Sequence, residues 1–167
     1  MKREELETFM TLLYDNKINE IKEFLNTKQE ILNDVTPMGT LIEIAASEGK
    51  KDIVDYLIEK GSDVNLGGGL EESPLVEASL RGYSEIVDLL LSKGAKMDVS
   101  SFKANPLFAA ISNGQNEIAI KLINKGIDIS AKYDIGEIKN CDAMEYARQY
   151  GCTEIYNYLK EKLEQLK

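Results

Sequence analysis

A unit that recurs about every 33 residues and ends in glycine constrains this chain more than any other feature. Two series of glycines mark it, the first formed by Gly49, Gly82, Gly114 and Gly151 and the second by Gly61, Gly94 and Gly126. The first three members of each series are 33 and then 32 residues apart. Repetition at this period predicts a stack of similar supersecondary units, because one unit alone cannot bury its own apolar face.

Each copy of the unit is predicted to form two short helices. A residue with a helix-capping side chain opens the first helix in every copy, namely Thr40, Ser73, Asn105 and Asp142. Pro74 and Pro106 follow two of these caps, at the first helical position, where the missing N–H costs nothing. The apolar residues Ile53, Val54 and Leu57 then recur in later copies at the spacing of one helix face. The pattern therefore predicts a helix–turn–helix followed by a hairpin.

Several phrases of this pattern match a known family: Ser73-Pro74-Leu75, Ala45-Ala46, Ile86-Val87-Asp88-Leu89-Leu90-Leu91 and Gly61-Ser62-Asp63-Val64-Asn65. On these phrases the sequence resembles the ankyrin repeat family. The resemblance implies an all-α solenoid of stacked helix-turn-helix units with hairpin loops. The family's histidine after Pro-Leu is replaced in the four copies by Glu43, Val76, Phe108 and Glu145. We therefore expect its hydrogen bond to the neighbouring turns to be missing and the hairpins to be less regular.

The register divides the chain into one domain over residues 1–167, with five repeats. These are an N-terminal capping repeat, three inner repeats of which the last has an extended loop, and a C-terminal capping repeat: 3–34, 35–67, 68–99, 100–136 and 137–167. Asn16 replaces the closing glycine of the first repeat, and Asn is the next-best residue for a left-handed position. Glu20 and Lys160 are polar where other repeats are apolar, which is typical of capping repeats, so we expect a complete array. Extra residues within 130–141 predict a longer loop on the hairpin side.

The composition argues against catalysis, metal binding and cofactor binding. The chain contains no histidine and only two cysteines, Cys141 and Cys152, so neither a nucleophile–base pair nor a metal-ligand cluster is visible. A formal net charge of −9 disfavours nucleic acid and anionic membrane surfaces as partners. No apolar stretch reaches the roughly 20 residues of a membrane helix, and the charged start does not resemble a secretory signal. We expect a cytoplasmic protein that is monomeric when free.

The family resemblance implies protein binding on the concave side, through hairpin tips and first helices. The register then places these candidate binding residues on that side: Tyr14, Glu48, Leu70, Glu71, Glu72, Leu80, Arg81, Phe102, Lys103, Asn113, Tyr133 and Tyr150. Five of them are large and apolar, namely Leu70, Leu80, Phe102, Tyr133 and Tyr150. Such side chains carry much of the energy of protein interfaces. The alternative is that some of them pack within their own hairpin.

Charge is distributed unevenly along the chain. Residues 1–98 carry 11 basic and 20 acidic residues, whereas residues 99–167 carry 9 of each. The acidic residues placed near the predicted groove are Glu43, Glu48, Glu71, Glu72 and Glu77. An acidic surface attracts a basic partner, although ordinary solubility would also explain it.

Two functional hypotheses follow, with an enzyme as a disfavoured third. The first is a non-catalytic cytoplasmic adaptor or scaffold that binds a protein partner. The second is an inhibitory or immunity protein that neutralises a basic partner such as a bacterial toxin.

Overall fold

Paired helices make up most of the part of the chain that the computed structural model describes, residues 1–68 and 73–165. Within these residues there are ten α-helices: α1 Arg3–Tyr14, α2 Ile18–Thr27, α3 Leu41–Ser47, α4 Lys51–Lys60, α5 Pro74–Arg81, α6 Ser84–Ser92, α7 Pro106–Ser112, α8 Asn116–Asn124, α9 Ala143–Gln149 and α10 Thr153–Gln165. A short 3-10 turn, Gln29–Ile31, follows α2, and the strands β1 Tyr133–Ile135 and β2 Ile138–Cys141 precede α9. The predicted all-α solenoid of stacked helix pairs is confirmed.

The first helix of pairs two to five begins at its predicted cap. The side chains of Thr40, Ser73, Asn105 and Asp142 each accept a hydrogen bond from a backbone N–H of the first turn. Pro74 and Pro106 occupy the first turn, as predicted. These caps satisfy donors that a helix start otherwise leaves without partners, so four similar sequences start four similar helices.

Left-handed residues end the first helix of each pair. Asn16 has φ 55°, which confirms that it replaces the glycine of later repeats. Gly49 has φ 70°, and a Cβ placed there would lie 2.7 Å from the ring of Tyr83 in the next pair. Glycine at this position therefore allows both the turn and the close packing of the next repeat.

One apolar core runs through the whole stack of pairs. It extends from Phe9 in α1 to Leu159 in α10, and both side chains are almost fully buried. The second helices contribute the predicted stripe, including Ile53, Val54 and Leu57 in α4. The outermost counterparts of this stripe are polar, and Glu20 and Lys160 are exposed.

On the hairpin side, a carboxylate stands at one position where the ankyrin family has histidine, and it connects two turns through hydrogen bonds. The Oε2 atom of Glu43 accepts a hydrogen bond from the Thr40 N–H at 2.7 Å. Its Oε1 atom accepts another from the Gly68 N–H at 3.0 Å, although Gly68 lies 25 residues further along the chain. The expectation that this bond to the neighbouring turn would be missing is therefore wrong at Glu43, because a carboxylate can accept two N–H groups at once.

The extra residues before α9 form a two-stranded antiparallel hairpin. Tyr133 pairs with Cys141 and Ile135 pairs with Ile138, with an irregular register between the two pairs. The predicted longer loop on the hairpin side is thus an ordered strand pair.

Candidate functional site

Small residues allow neighbouring first helices to approach each other closely. At the same position of the first helix in pairs two to five, the chain has alanine side chains that are completely buried: Ala45, Ala78, Ala110 and Ala147. The first helices α3, α5 and α7 pack along one another, whereas neighbouring second helices touch less extensively. The first-helix side is therefore the shorter, inner side of the stack. We call the exposed side of α1, α3, α5, α7 and α9, with the hairpins, the inner face.

A pocket opens on the inner face where α5, α7 and α9 meet. Its volume is about 110 Å³. The side chains that shape it are Val76, Leu80, Phe102, Lys103, Phe108 and Tyr146. Three of these, Leu80, Phe102 and Lys103, are predicted binding residues that the structure brings together. Leu80 is half-buried and lines the pocket, so part of this side chain remains open to a partner.

Aromatic rings build the wall of the pocket towards α9. Phe102 meets Phe108 edge-on, with ring centroids 6.0 Å apart, and meets Tyr146 at 5.8 Å. The rings of Phe108 and Tyr146 lie 4.7 Å apart, and Tyr146 is 4.5 Å from Tyr150. Burial raises the pKa of Tyr146, since its phenol lies among these apolar groups. Tyr150 is 53% exposed, so it extends the aromatic surface outwards from the pocket.

Tyr133 lies behind this wall and supports the hairpins. Its hydroxyl donates a hydrogen bond to the Val99 carbonyl at 2.7 Å and accepts one from the Asn105 side chain at 3.1 Å. Its ring contacts Phe108 edge-on, with centroids 5.1 Å apart, and partial burial raises the pKa of Tyr133. Both polar and apolar parts of this side chain are therefore engaged inside the chain.

Of the remaining predicted residues near α5 and α7, Asn113 and Arg81 contact neighbours, whereas Lys103 is exposed. Asn113 donates a hydrogen bond from its side chain to the Leu80 carbonyl at 2.9 Å, which joins α7 to α5. The guanidinium of Arg81 lies 3.8 Å from the carboxylate of Glu77. Lys103 is exposed and has no ion-pair partner among residues 1–68 and 73–165.

Tyr14 and Glu48 lie together on the inner face of the first two pairs. The Tyr14 hydroxyl is 3.4 Å from the Glu48 carboxylate, and the Tyr14 side chain is 53% exposed. Desolvation and the negative charge of Glu48 raise the pKa of Tyr14. The predicted residues Leu70, Glu71 and Glu72 lie outside the described residues.

Of the acidic residues predicted near the groove, the three that the structure describes do not form one open acidic surface. Glu43 is 4% exposed and is bound to backbone N–H groups, and Glu77 lies beside Arg81. Glu48 faces Tyr14. The charge that the inner face shows in the described residues is therefore smaller than the sequence suggests.

Sequence reasoning missed two sets of residues on the hairpins and inner face. Phe108 and Tyr146 shape the pocket. Phe108 could have been found from the sequence, because it is an aromatic residue at the position where the family has histidine. Val35 and Met38 are 53% and 57% exposed on the turn before α3. Their signal in the sequence was a pair of apolar residues on either side of Thr36-Pro37.

The cysteines and carboxylates do not form a reactive centre in the part of the chain that the structure describes. There, no three or more His, Cys, Asp or Glu residues lie in a group that could hold a metal ion. Burial raises the pKa of both Cys141 and Cys152, which keeps these thiols protonated and poorly nucleophilic. None of the described helices has the length and apolar character needed to cross a membrane.

Comparison with known proteins places this architecture in a family. A family model described as ankyrin repeats, in three copies, matches residues 42–133 and 75–166. "Ankyrin repeat and KH domain-containing protein mask-1" of Caenorhabditis elegans is 40% identical over 119 residues, which are 70% of this chain and 4% of that protein.

Two other relatives are matched over a similar stretch. A "Putative ankyrin repeat protein" of Rickettsia felis is 33% identical over 68% of this chain and 52% of its own length. The "Probable 26S proteasome regulatory subunit p28" of Saccharomyces cerevisiae is 29% identical over 70% of this chain and 51% of its own length. This chain thus spans about half of these two relatives and a small part of the first. The match over most of the chain, together with the stacked helix pairs, shows that it belongs to the ankyrin repeat family and is a protein–protein interaction module.

Proposed function

We propose that the chain binds its protein partner through the inner face, with the pocket between α5, α7 and α9 as the main anchor point. The observation that carries this proposal is Leu80, a large, half-buried apolar side chain that borders the pocket. Leu80 and the aromatic residues around the pocket form contiguous apolar surface, which is typical of interaction sites. Tyr150, next to the pocket, adds a second exposed aromatic anchor.

The role that we propose is that of a non-catalytic cytoplasmic adaptor or scaffold. A stack of helix pairs presents a wide, preformed surface, which suits the recruitment of another protein. One relative carries the printed name of a regulatory subunit, and a subunit likewise acts by contacting other chains. We propose that the free protein is a monomer.

Inhibition of a basic partner is the second candidate. It is supported by the net charge of −9, all of which comes from residues 1–98. It is weakened by the engagement of Glu43 and Glu77 inside the chain. The partner bound at the inner face would distinguish the two roles, because inhibition requires that binding block an activity of that partner.

The test compares Leu80→Glu with Leu89→Glu, a substitution of another half-buried leucine on α6, the second helix of the same pair. Affinity purification and mass spectrometry identify the partner, and calorimetry then measures its Kd for each variant. We expect Leu80→Glu to weaken binding at least about 30-fold, as for an interface hot spot of about 2 kcal/mol. The melting temperature should stay near that of the wild type.

Leu89→Glu is expected to lower the melting temperature and leave the affinity of the remaining folded protein unchanged, because Leu89 packs against the core. Equal affinities of the wild type and Leu80→Glu for the identified partner would refute the inner-face proposal.

A further inference from the structure

We infer that the pocket takes a leucine-sized aliphatic side chain of the partner, in a segment whose neighbouring residues carry carboxylates. This inference rests on the proposed function, because it names the chemistry of the segment bound at that same pocket. Two independent features carry it: the size and lining of the pocket, and the charge of Lys103 at its edge, which has no ion-pair partner among the described residues.

The size of the pocket suits the anchor. Its volume of about 110 Å³ is enough for an aliphatic side chain of the size of leucine. Val76, Leu80 and Ala109 form its aliphatic side and Phe102, Phe108 and Tyr146 its aromatic side. The Ser112 hydroxyl, which also lines the pocket, already donates to the Ala109 carbonyl, so the lining favours an apolar anchor.

The positive charge of Lys103 at the edge of the pocket favours acidic residues next to the anchor side chain of the partner. Among the described residues, Lys103 is the only charged side chain that lines the pocket, and it is exposed. Within residues 1–68 and 73–165 it contacts no carboxylate, while Arg81 on the adjacent helix lies near Glu77. A partner carboxylate beside the anchor would gain an ion pair without breaking an existing one, and a partner cation would meet a like charge.

The acidic segment that the pocket favours differs from the basic partner that the net charge alone suggests. Residues 99–167 carry 9 basic and 9 acidic residues, so the region that contains Lys103 lacks the acidic excess of residues 1–98. A partner can therefore be basic overall and still place an acidic segment in the pocket.

The test uses three synthetic peptides of equal length and the full chain, labelled for NMR. The first peptide has one leucine between two aspartates, the second has the same leucine between two lysines, and the third has alanine between two aspartates. We expect the first peptide to shift the Leu80 methyl signals and the amides of residues 102 and 103. The lysine peptide should bind at least about fivefold more weakly, as expected for one exposed ion pair lost, and the alanine peptide should not reach saturation.

Charge reversal at the edge of the pocket gives the sharper comparison. Lys103→Glu should make the lysine peptide the better ligand of the two leucine peptides. Lys125→Glu is the matched control, since Lys125 is also exposed but follows α8, a second helix. This control should keep the preference for aspartate, which separates a local contact from an effect of net charge.

The inference is overturned if the two leucine peptides bind equally, if the shifts lie outside the pocket, or if the aspartate peptide does not saturate up to about 5 mM. Its failure is distinguishable from failure of the proposed function. If the Leu80→Glu variant no longer binds the identified partner while the two leucine peptides bind equally, the inner face is the binding face and the proposal of an acidic segment is wrong. If Leu80→Glu retains the partner while the aspartate peptide occupies the pocket, the proposed binding face is wrong.

Discussion

At the scale of single residues, Glu43 shows how one side chain can replace another of different chemistry. The position carries histidine in the family that the sequence resembles, and here a carboxylate binds two backbone N–H groups from separate repeats. Its side chain is almost completely buried, so these bonds replace those with water. Both carboxylate oxygen atoms act as acceptors, so a side chain at this position must offer two acceptors to make both bonds.

We expect Glu43→Gln to destabilise the protein although the two side chains have the same shape. The glutamine amide offers one oxygen, so its NH2 group must face a backbone N–H that then has no acceptor. The free energy of unfolding should fall by about 1–3 kcal/mol, measured by urea denaturation. Glu59→Gln, on the exposed side of α4, should change it by less than about 0.5 kcal/mol. Equal stability of Glu43→Gln and the wild type would show that one of the two bonds is absent in solution.

At the scale of an element, α9 depends on its own charged side chains. It spans only Ala143–Gln149, and it contributes Tyr146 to the pocket. The Glu145 carboxylate accepts hydrogen bonds from Arg148 at 2.6 and 2.8 Å and from Gln149 at 2.7 Å. These bonds lower the pKa of Glu145 from 4.5 to about 2. A short helix is thereby stabilised from within its own sequence.

The lowered pKa predicts a pH dependence with a definite sign. Because the pKa of Glu145 is lower in the folded state, its ionised form stabilises the protein above about pH 4.5, and this contribution is lost as the pH falls towards 2. A carbon-13 NMR titration should place the pKa of Glu145 near 2 in the wild type. In Arg148→Met it should rise towards 4.5, and Arg148→Lys, which keeps the charge but not the paired bonds, should lie between them. An unchanged value in Arg148→Met would show that the pair does not form in solution.

At the scale of the whole molecule, contacts between neighbouring pairs hold the stack together. Asn65 donates a hydrogen bond to the Gly94 carbonyl at 3.3 Å and accepts one from the Lys96 N–H at 2.7 Å. Asn33 makes the same two kinds of bond to Gly61 and Asp63 one repeat earlier. At the next junction the chain has Asp98, which caps its own turn, and Tyr133 instead binds the Val99 carbonyl.

Removing one of these contacts should weaken one junction of the stack. Since the stability of a solenoid is approximately a sum over repeats and their interfaces, Asn65→Ala should lower the free energy of unfolding by about 1–3 kcal/mol. Hydrogen exchange should become faster in α1 to α4, the smaller part on one side of that junction. Asn33→Ala is the matched control, and there the faster exchange should be confined to α1 and α2. If exchange rises uniformly along the chain in both variants, the stack unfolds as a single unit.

Much of the fold could be predicted from sequence because its determinants are local. The caps at Thr40 and Asn105, the prolines that follow two caps and the left-handed Asn16 act within a few residues of their own position. The site was predicted less completely. Leu80, Phe102 and Lys103 come together in the pocket. Phe108 had a signal in the sequence, whereas the place of Tyr146 in the pocket follows only from the packing of α9 against α7.

By itself, then, the sequence determined the period, the helix pairs, the turns between them and the side chains available to the inner face. The tertiary structure alone decided which of those side chains are free: the Tyr133 hydroxyl is bound to Val99, 34 residues away, and Glu43 to Gly68, 25 residues away, while Leu80 remains open. The physical reason is that the hydrogen-bond partners of Tyr133 and Glu43 include groups in neighbouring repeats. The local sequence pattern determines the direction of a side chain, whereas its contacts are determined by the packing of the repeats.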